Sequence, residues 1–395
     1  MPQRQLAGSY CPDLFEDPAP RLYLRCQRDR SAAAWSRTYW MPRKAGRSQV
    51  PSAPVRAFLV ALVAFVFVGC PCIKGPVNAS PGLRWWLFSN FGAQKMCPEM
   101  LKKGAPLKLS PEGNTIGRFF PTRCRHDIND DKRTVTIHFG GTGYAWTPVA
   151  GRVGFSMDAS VEYGFDFFMA EDAVYVWAKR PNVIYGPDFK VGAIENKVVD
   201  FATKTPAGFV ANTFGNQIVS YHLFQGFTVV HSDSGDEFTL GLLQPPARPP
   251  RPFDTSEDRF VFANETAEIR NNQLDFLGPF EVPDDDQALF LRMRLTGPAL
   301  DVMVFHRGTA DLWRDALQRG GALAAPPGPP VVAFPLNPGV ELKRKTKLPA
   351  GQYMVVVDNS PVGVIKPPWN PLGMVGGGTA IVSYSAELGD DDEDF

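Results

Sequence analysis

Between residues 134 and 167, apolar side chains recur at every second position. Val135, Ile137 and Phe139 alternate with Thr134, Thr136 and His138, and Val161, Tyr163, Phe165 and Phe167 alternate with Glu162, Gly164 and Asp166. A period of two makes one dry and one wet face, which commits the segment to a half-buried sheet. Phe227–His231 and Phe238–Leu242 flank the turn-forming run Ser232–Asp236, which predicts a hairpin. Helices are predicted at Ala93–Lys103 and at Val191–Lys204, where Ile194, Val198 and Phe201 share one face.

The pattern breaks at Gln244–Phe253, whose five prolines remove backbone donors and hold the chain extended, as a linker does. Beyond it, short strands are predicted at Arg259–Phe262, Ala288–Leu295, Leu300–Phe305, Tyr353–Asp358 and, after a flexible Gly376–Gly378 loop, Ala380–Ser385. The expected fold is therefore mainly β with one or two helices, in two domains. Residues 80–243 read as an antiparallel, barrel-like sheet and 254–388 as a β-sandwich. Residues 389–395 read as a solvated acidic tail.

Charge excludes one class of partner. The chain of 395 residues has 41 basic and 41 acidic groups, but residues 1–56 hold ten basic against four acidic, leaving 31 basic and 37 acidic in the rest. Past residue 80 the densest basic run is Lys343, Arg344, Lys345 and Lys347, which fits one solvated strand edge, so no nucleic-acid surface is expected.

Ala57–Val68 is an unbroken run of twelve apolar residues behind Arg43, Lys44, Arg47 and Arg56, the basic and apolar regions of a secretory signal. As a helix it would span about 18 Å, short of a hydrocarbon core of about 30 Å. With Gly69 before Cys70, the stretch resembles the lipobox of bacterial lipoproteins, although Phe67 stands where Leu is usual. The resemblance implies cleavage after Gly69 by signal peptidase II, acylation of Cys70 and a tether over residues 70–79. Residues 57–69 would then be the apolar region and lipobox. Residues 1–56 would be a gene-start artefact plus the basic region, with Met41 placed to open a signal of ordinary length. Val77-Asn78-Ala79 also fits ordinary secretory cleavage, giving a soluble chain from Ser80, and a buried core segment is the third reading.

Cys97 and Cys124 would close a loop worth about 3–4 kcal/mol as a disulfide, or remain buried thiols. Cys70-Pro71-Cys72 has no partner pair at zinc spacing. A second resemblance rests on Lys347–Asn359, KLPAGQYMVVVDN, which is similar to a strand of bacterial prepeptidase C-terminal (PPC-like) domains. It implies a jelly-roll-like accessory or binding module without catalytic residues.

Catalytic motifs are missing: there is no GxSxG, HExxH, P-loop or helix-opening GxGxxG, and Gly140–Gly143 reads as a strand-end turn. Asp127, Asn129 and Asp131 are spaced like the opening of a calcium loop, but Lys132 occupies the glycine position and His138 the bidentate one. Asp284, Asp285 and Asp286 form a second acidic turn; both are weak calcium candidates, and no cofactor is expected. Trp85 and Trp86 form an aromatic doublet close to the anchor, a candidate ligand or partner surface. The expectation is a membrane-tethered envelope lipoprotein, on the periplasmic side or in the outer membrane, that binds an unknown envelope protein or ligand without catalysis. Two alternatives stand beside it: a secreted or tethered hydrolase using His222, His231 and Asp233, and a structural envelope component.

Overall fold

The computed structural model describes residues 71–110, 113–147, 151–194, 225–256, 258–319, 323–364 and 378–395. The apolar segment, Cys70, His222 and the Gly376–Gly378 loop up to Gly377 lie outside them. The described chain is mainly β, and among these residues no helix is long and apolar enough to cross a membrane.

It opens with helices. Helix α1, Pro71–Ala79, is followed by α2, Pro81–Leu87. Ser80 starts α2: its Oγ accepts a hydrogen bond from the Leu83 N–H at 3.3 Å, and Pro81 stands at the first helical position, where an N–H has no helical acceptor. A π-helical turn, Phe88–Gly92, leads into α3, Ala93–Lys102, close to its predicted bounds. Residues 71–79, expected to form a tether, are instead docked. Val77 is buried, and the Asn78 amide exchanges two hydrogen bonds with the Met169 backbone at 2.9 and 3.0 Å.

An antiparallel meander follows: β1 Ala105–Lys108, β2 Thr115–Asn129, β3 Thr134–Thr147, β4 Gly151–Met169, β5 Val174–Ile194, β6 Phe227–Ser232 and β7 Gly235–Leu240. Along β4 the odd positions from Val153 to Phe167 all enter one core, where Val77, Trp85, Phe88 and Ala93 of the helical segment cover them. Val191–Ile194 belongs to β5 and ladders with Val153–Phe155, so the predicted helix does not begin there; its remainder lies outside the described residues. Gly140–Gly143 forms no turn, because β3 runs straight through it.

Eight further strands build the sandwich: β8 Phe260–Ile269, β9 Gln273–Val282, β10 Gln287–Thr296, β11 Leu300–His306, β12 Val332–Leu336, β13 Leu342–Lys347, β14 Gly351–Asn359 and β15 Ala380–Asp390. One layer has the order β13-β10-β15-β8 and the other β12-β11-β14-β9, so successive strands mostly alternate between layers in a jelly-roll order. Leu289, Leu291, Met293, Val382 and Tyr384 of one layer meet Val302, Val304, Val355 and Val357 of the other. The tail is pinned: Glu393 accepts from Arg259 at 2.7 Å, Asp391 pairs with Lys347 at 2.8 Å, and Phe395 meets Phe290 edge-on.

The meander and sandwich share one sheet. Thr115 of β2 pairs in parallel with Ala267 of β8, and the Val261 N–H of β8 donates to the Ser234 carbonyl in the β6–β7 turn at 2.9 Å, so both ends of the meander meet β8. The proline-rich segment has no regular structure and is held down by Arg248 and Arg251 on Glu237 and by the Asn264 amide on the Phe253 carbonyl. Helix α4, Arg307–Gln318, which the periodicity did not announce, is wedged between the outer face of the meander and β9, β11 and β14, with Trp313 and Leu317 against Phe120, Tyr144 and Phe276. Its end lies so close to β4 that a Cβ on Gly154 would stand 1.9 Å from the Gln318 carbonyl oxygen.

At the centre of this junction Arg118 of β2 is 3% exposed. Its guanidinium donates to Asp275 of β9 at 2.7 and 2.9 Å, to Glu265 of β8 at 2.6 Å and to the Tyr384 hydroxyl of β15. Tyr144 donates to Asp275 at 2.9 Å, and Tyr384 and Thr115 donate to Glu265 at 2.7 and 2.9 Å. Burial alone would raise the Glu265 carboxyl, but Arg118 and these donors hold it below its usual range. Replacing Arg118 with Met should cost about 3–5 kcal/mol in urea unfolding, because two buried carboxylates lose their partner.

Candidate functional site

Strands that alternate inward and outward leave a polar ladder on the outer face of β2, β3 and β4. There the even positions of β3 and β4 form, with β2 and β5, an open groove of about 450 Å³. Arg123 crosses its floor to Asp158 at 2.5 Å. Gly140 lies beneath that pair, and a Cβ there would stand 2.0 Å from Asp158 Oδ1 and 2.8 Å from an Arg123 nitrogen, so a side chain at 140 would displace the bridge.

Beside the bridge runs a second chain of contacts. His138 of β3 is directly opposite Arg125 of β2 and Ser160 of β4. Its Nδ1 is 2.7 Å from Ser160 Oγ and its Nε2 2.9 Å from Asp127 Oδ2, which also accepts from Arg125 at 3.0 Å. At this point the β4–β5 ladder is irregular. Ser160 faces Tyr185 and Asp158 faces Asp188, so β5 carries two residues, Gly186 and Pro187, where β4 carries one. Such a bulge re-aims side chains, and Tyr185 lines the groove with more than half its surface exposed. The groove thus presents two guanidiniums, the Asp158 carboxylate, an imidazole, a hydroxyl and a phenol ring, with Asp127 bound to the imidazole at its margin. Chemically it can donate and accept hydrogen bonds side by side and offer one ring face.

The residues singled out from sequence are placed differently. Asp127 is committed to His138 and Arg125, the Asn129 side chain accepts from the Lys132 N–H at 3.0 Å, and Asp131 is exposed in the same turn. Asp284, Asp285 and Asp286 are exposed, with Asp285 accepting from the Ala350 N–H at 2.7 Å. Among the described residues no group of three or more His, Cys, Asp or Glu side chains converges to hold a metal ion. Cys97 and Cys124 are joined as a disulfide that fastens α3 to β2, with Cα atoms 5.3 Å apart.

The tryptophan doublet lies on a helix, because the Ser80 cap starts α2 there, and the two rings part company. Trp85 is 9% exposed and donates its indole N–H to Asp130 at 2.9 Å; Trp86 is 45% exposed and packs edge-on against Phe91. Phe119 and Phe120, a doublet on β2, do split between the two faces of the sheet.

His231 does not meet Asp233, which is exposed in the turn; its Nδ1 is 2.5 Å from Asp236 across the hairpin. The connection of residues 127, 138 and 160 escaped sequence reasoning, which named Asp127 and His138 only as calcium-loop positions, because their spacing fits no motif; cross-strand register alone brings them together. Compared with protein-family models, with curated proteins and with solved structures, the chain matches none.

The hairpin pair gives a pH prediction. Hydrogen bonding to Asp236 raises the His231 imidazole above its usual value, against the opposing effect of burial. A raised folded-state value adds stability below the unfolded pKa and loses it as pH rises through the folded one. Asp236→Asn should lower the His231 midpoint in an NMR titration of the ring and remove that acid-side contribution.

Proposed function

We propose that the chain is a non-catalytic binding protein of the cell envelope, held at the membrane by a lipid on Cys70, and that the groove between Arg123 and Tyr185 is its recognition surface. The observation that carries the reading is the groove itself: an open depression with paired donors and acceptors and one exposed aromatic ring, on a continuously paired sheet. Alternating guanidinium and carboxylate groups beside a phenol suit a ligand rich in hydroxyls, with an oligosaccharide as the class.

Export is supported by the Cys97–Cys124 disulfide, a bond that persists in oxidising compartments. Cleavage after Gly69 is supported by α1. Val77 and Asn78 are built into the core, and a chain beginning at Ser80 would lose both. The jelly-roll strand order agrees with the accessory module that Lys347–Asn359 resembles.

A hydrolase is the second reading, favoured by one specific observation. Ser160, His138 and Asp127 are connected as nucleophile, base and orienting carboxylate. Two features favour binding instead. Asp127 is shared with Arg125, and its side chain is 58% exposed.

Three experiments test the proposal. Metabolic labelling with an alkyne fatty acid should mark the wild type and not Cys70→Ser; label retained by the variant would overturn the tether. On a glycan array, Arg123→Ala and Tyr185→Ala should lose about tenfold or more of the wild-type binding with unchanged thermal stability. Reaction of the wild type with a fluorophosphonate probe, abolished in Ser160→Ala, would replace binding with hydrolysis.

A further inference from the structure

The helical segment in front of the meander has two faces of opposite use. Trp85, Phe88 and Ala93 enter the core over the sheet. On the outward face Leu83 is 37% exposed, Trp86 45% and Phe91 41%, three large apolar side chains left in water. Leu83 and Trp86 are three residues apart, the spacing of one helix face. Trp86 and Phe91 are five apart, which in a regular α-helix would turn their rings away from each other. The π-helical turn Phe88–Gly92 removes that offset, and the two rings meet edge-on with centroids 5.9 Å apart. A rare helical turn therefore gathers an apolar ridge on the side facing away from the core.

Positive charge is concentrated on the same segment. Residues 71–104 hold five basic residues, Lys74, Arg84, Lys95, Lys102 and Lys103, and one acidic residue, Glu99, whereas the chain past residue 56 is acidic on balance. Two of the five are turned inward: Lys74 donates to the Glu171 carbonyl at 3.0 Å, and Arg84 pairs with Asp166 at 2.7 Å. Lys95, Lys102 and Lys103 are exposed. Lys95 follows Phe91 by four residues and Lys102 follows Lys95 by seven, so both continue the line of the ridge along α3.

Trp, Phe and Leu running into lysines is the pattern of a helix lying in the headgroup layer of an anionic bilayer. The rings reach the acyl boundary while the ammonium groups stay among the phosphates. The start of the described chain favours the same occupant. Helix α1 begins at Pro71, and at 1.5 Å per residue α1 and α2 keep Trp86 within about 30 Å of residue 70. A chain held by a lipid at that residue carries the ridge within reach of the same membrane.

We propose that the Leu83–Trp86–Phe91 ridge, with Lys95 and Lys102, rests on an anionic membrane surface. The proposal takes its membrane from the envelope reading above but needs no lipid on Cys70, so the two fail separately. Its effect is to fix how the molecule stands on the bilayer.

The test uses the full chain and vesicles whose phosphatidylglycerol and phosphatidylcholine carry brominated acyl chains, which quench a tryptophan that enters the bilayer. The emission of Trp86, taken as wild type minus Trp86→Phe, should fall by about half or more on these vesicles, as expected for a ring at the acyl boundary. Trp86→Phe keeps an apolar ring and should melt with the wild type. The same loss should appear in a Cys70→Ser background. Equal quenching of wild type and Trp86→Phe overturns the proposal, because the ring then stays in water. Equal loss on vesicles of brominated phosphatidylcholine alone overturns it too, since the lysines then play no part. A concentration-dependent dimer without vesicles, returned to monomer by Trp86→Ser with Phe91→Ser, overturns it by giving the ridge to a second copy of the chain. A Trp86 signal that survives in a chain shown to carry no lipid on Cys70 supports the ridge while the tether fails.

Discussion

A single guanidinium fixes how this chain folds together. Arg118 enters from the meander and finds carboxylates on β8 and β9 and a hydroxyl on β15, so one side chain answers three strands of the sandwich. Taking three charges out of water is expensive, and the network is stable only when every oxygen is met. Tyr144 and Thr115 supply the remaining donors, and both belong to the meander. The junction is therefore specific: a meander shifted by one residue on β2 would turn Arg118 to the opposite face and leave Glu265 and Asp275 bare.

Much of the sheet architecture was legible because alternation is a direct record of which face is dry. The β4 pattern from Val161 to Phe167 states its orientation in the residues themselves, whereas the strand at Tyr353–Asp358 announces itself as a strand but is buried on both faces. The helices were harder. Helix α4 holds Trp313 and Leu317 at helical spacing, but its polar residues Arg307, Asp311, Arg314 and Asp315 masked a stripe that matters only once two sheets close on it. The helix that carries the Trp85–Trp86 doublet went unread for a related reason: its decisive signal is the short Ser80-Pro81 start and not a periodic stripe.

Sequence named Asp127 but not its company. In a sheet, neighbours are set by register, and register depends on turn lengths and bulges far from the residues concerned. Asp127, His138 and Ser160 are joined only after β2, β3 and β4 have paired, and Tyr185 reaches the groove by way of the extra residues on β5. Local pattern fixes faces, whereas function here arises from pairs across strands.

The docked acidic tail has a consequence for how molecules meet each other. Strand β13 is the last of its layer, and its outer edge carries backbone groups able to accept a strand from a neighbouring molecule. Lys345 and Lys347 reach out from that strand to Asp391 and to the Glu393 carbonyl, so the same lysines that put positive charge on the exposed edge also hold the acidic residues against the sheet, and losing them would bare the edge and free the acidic segment together.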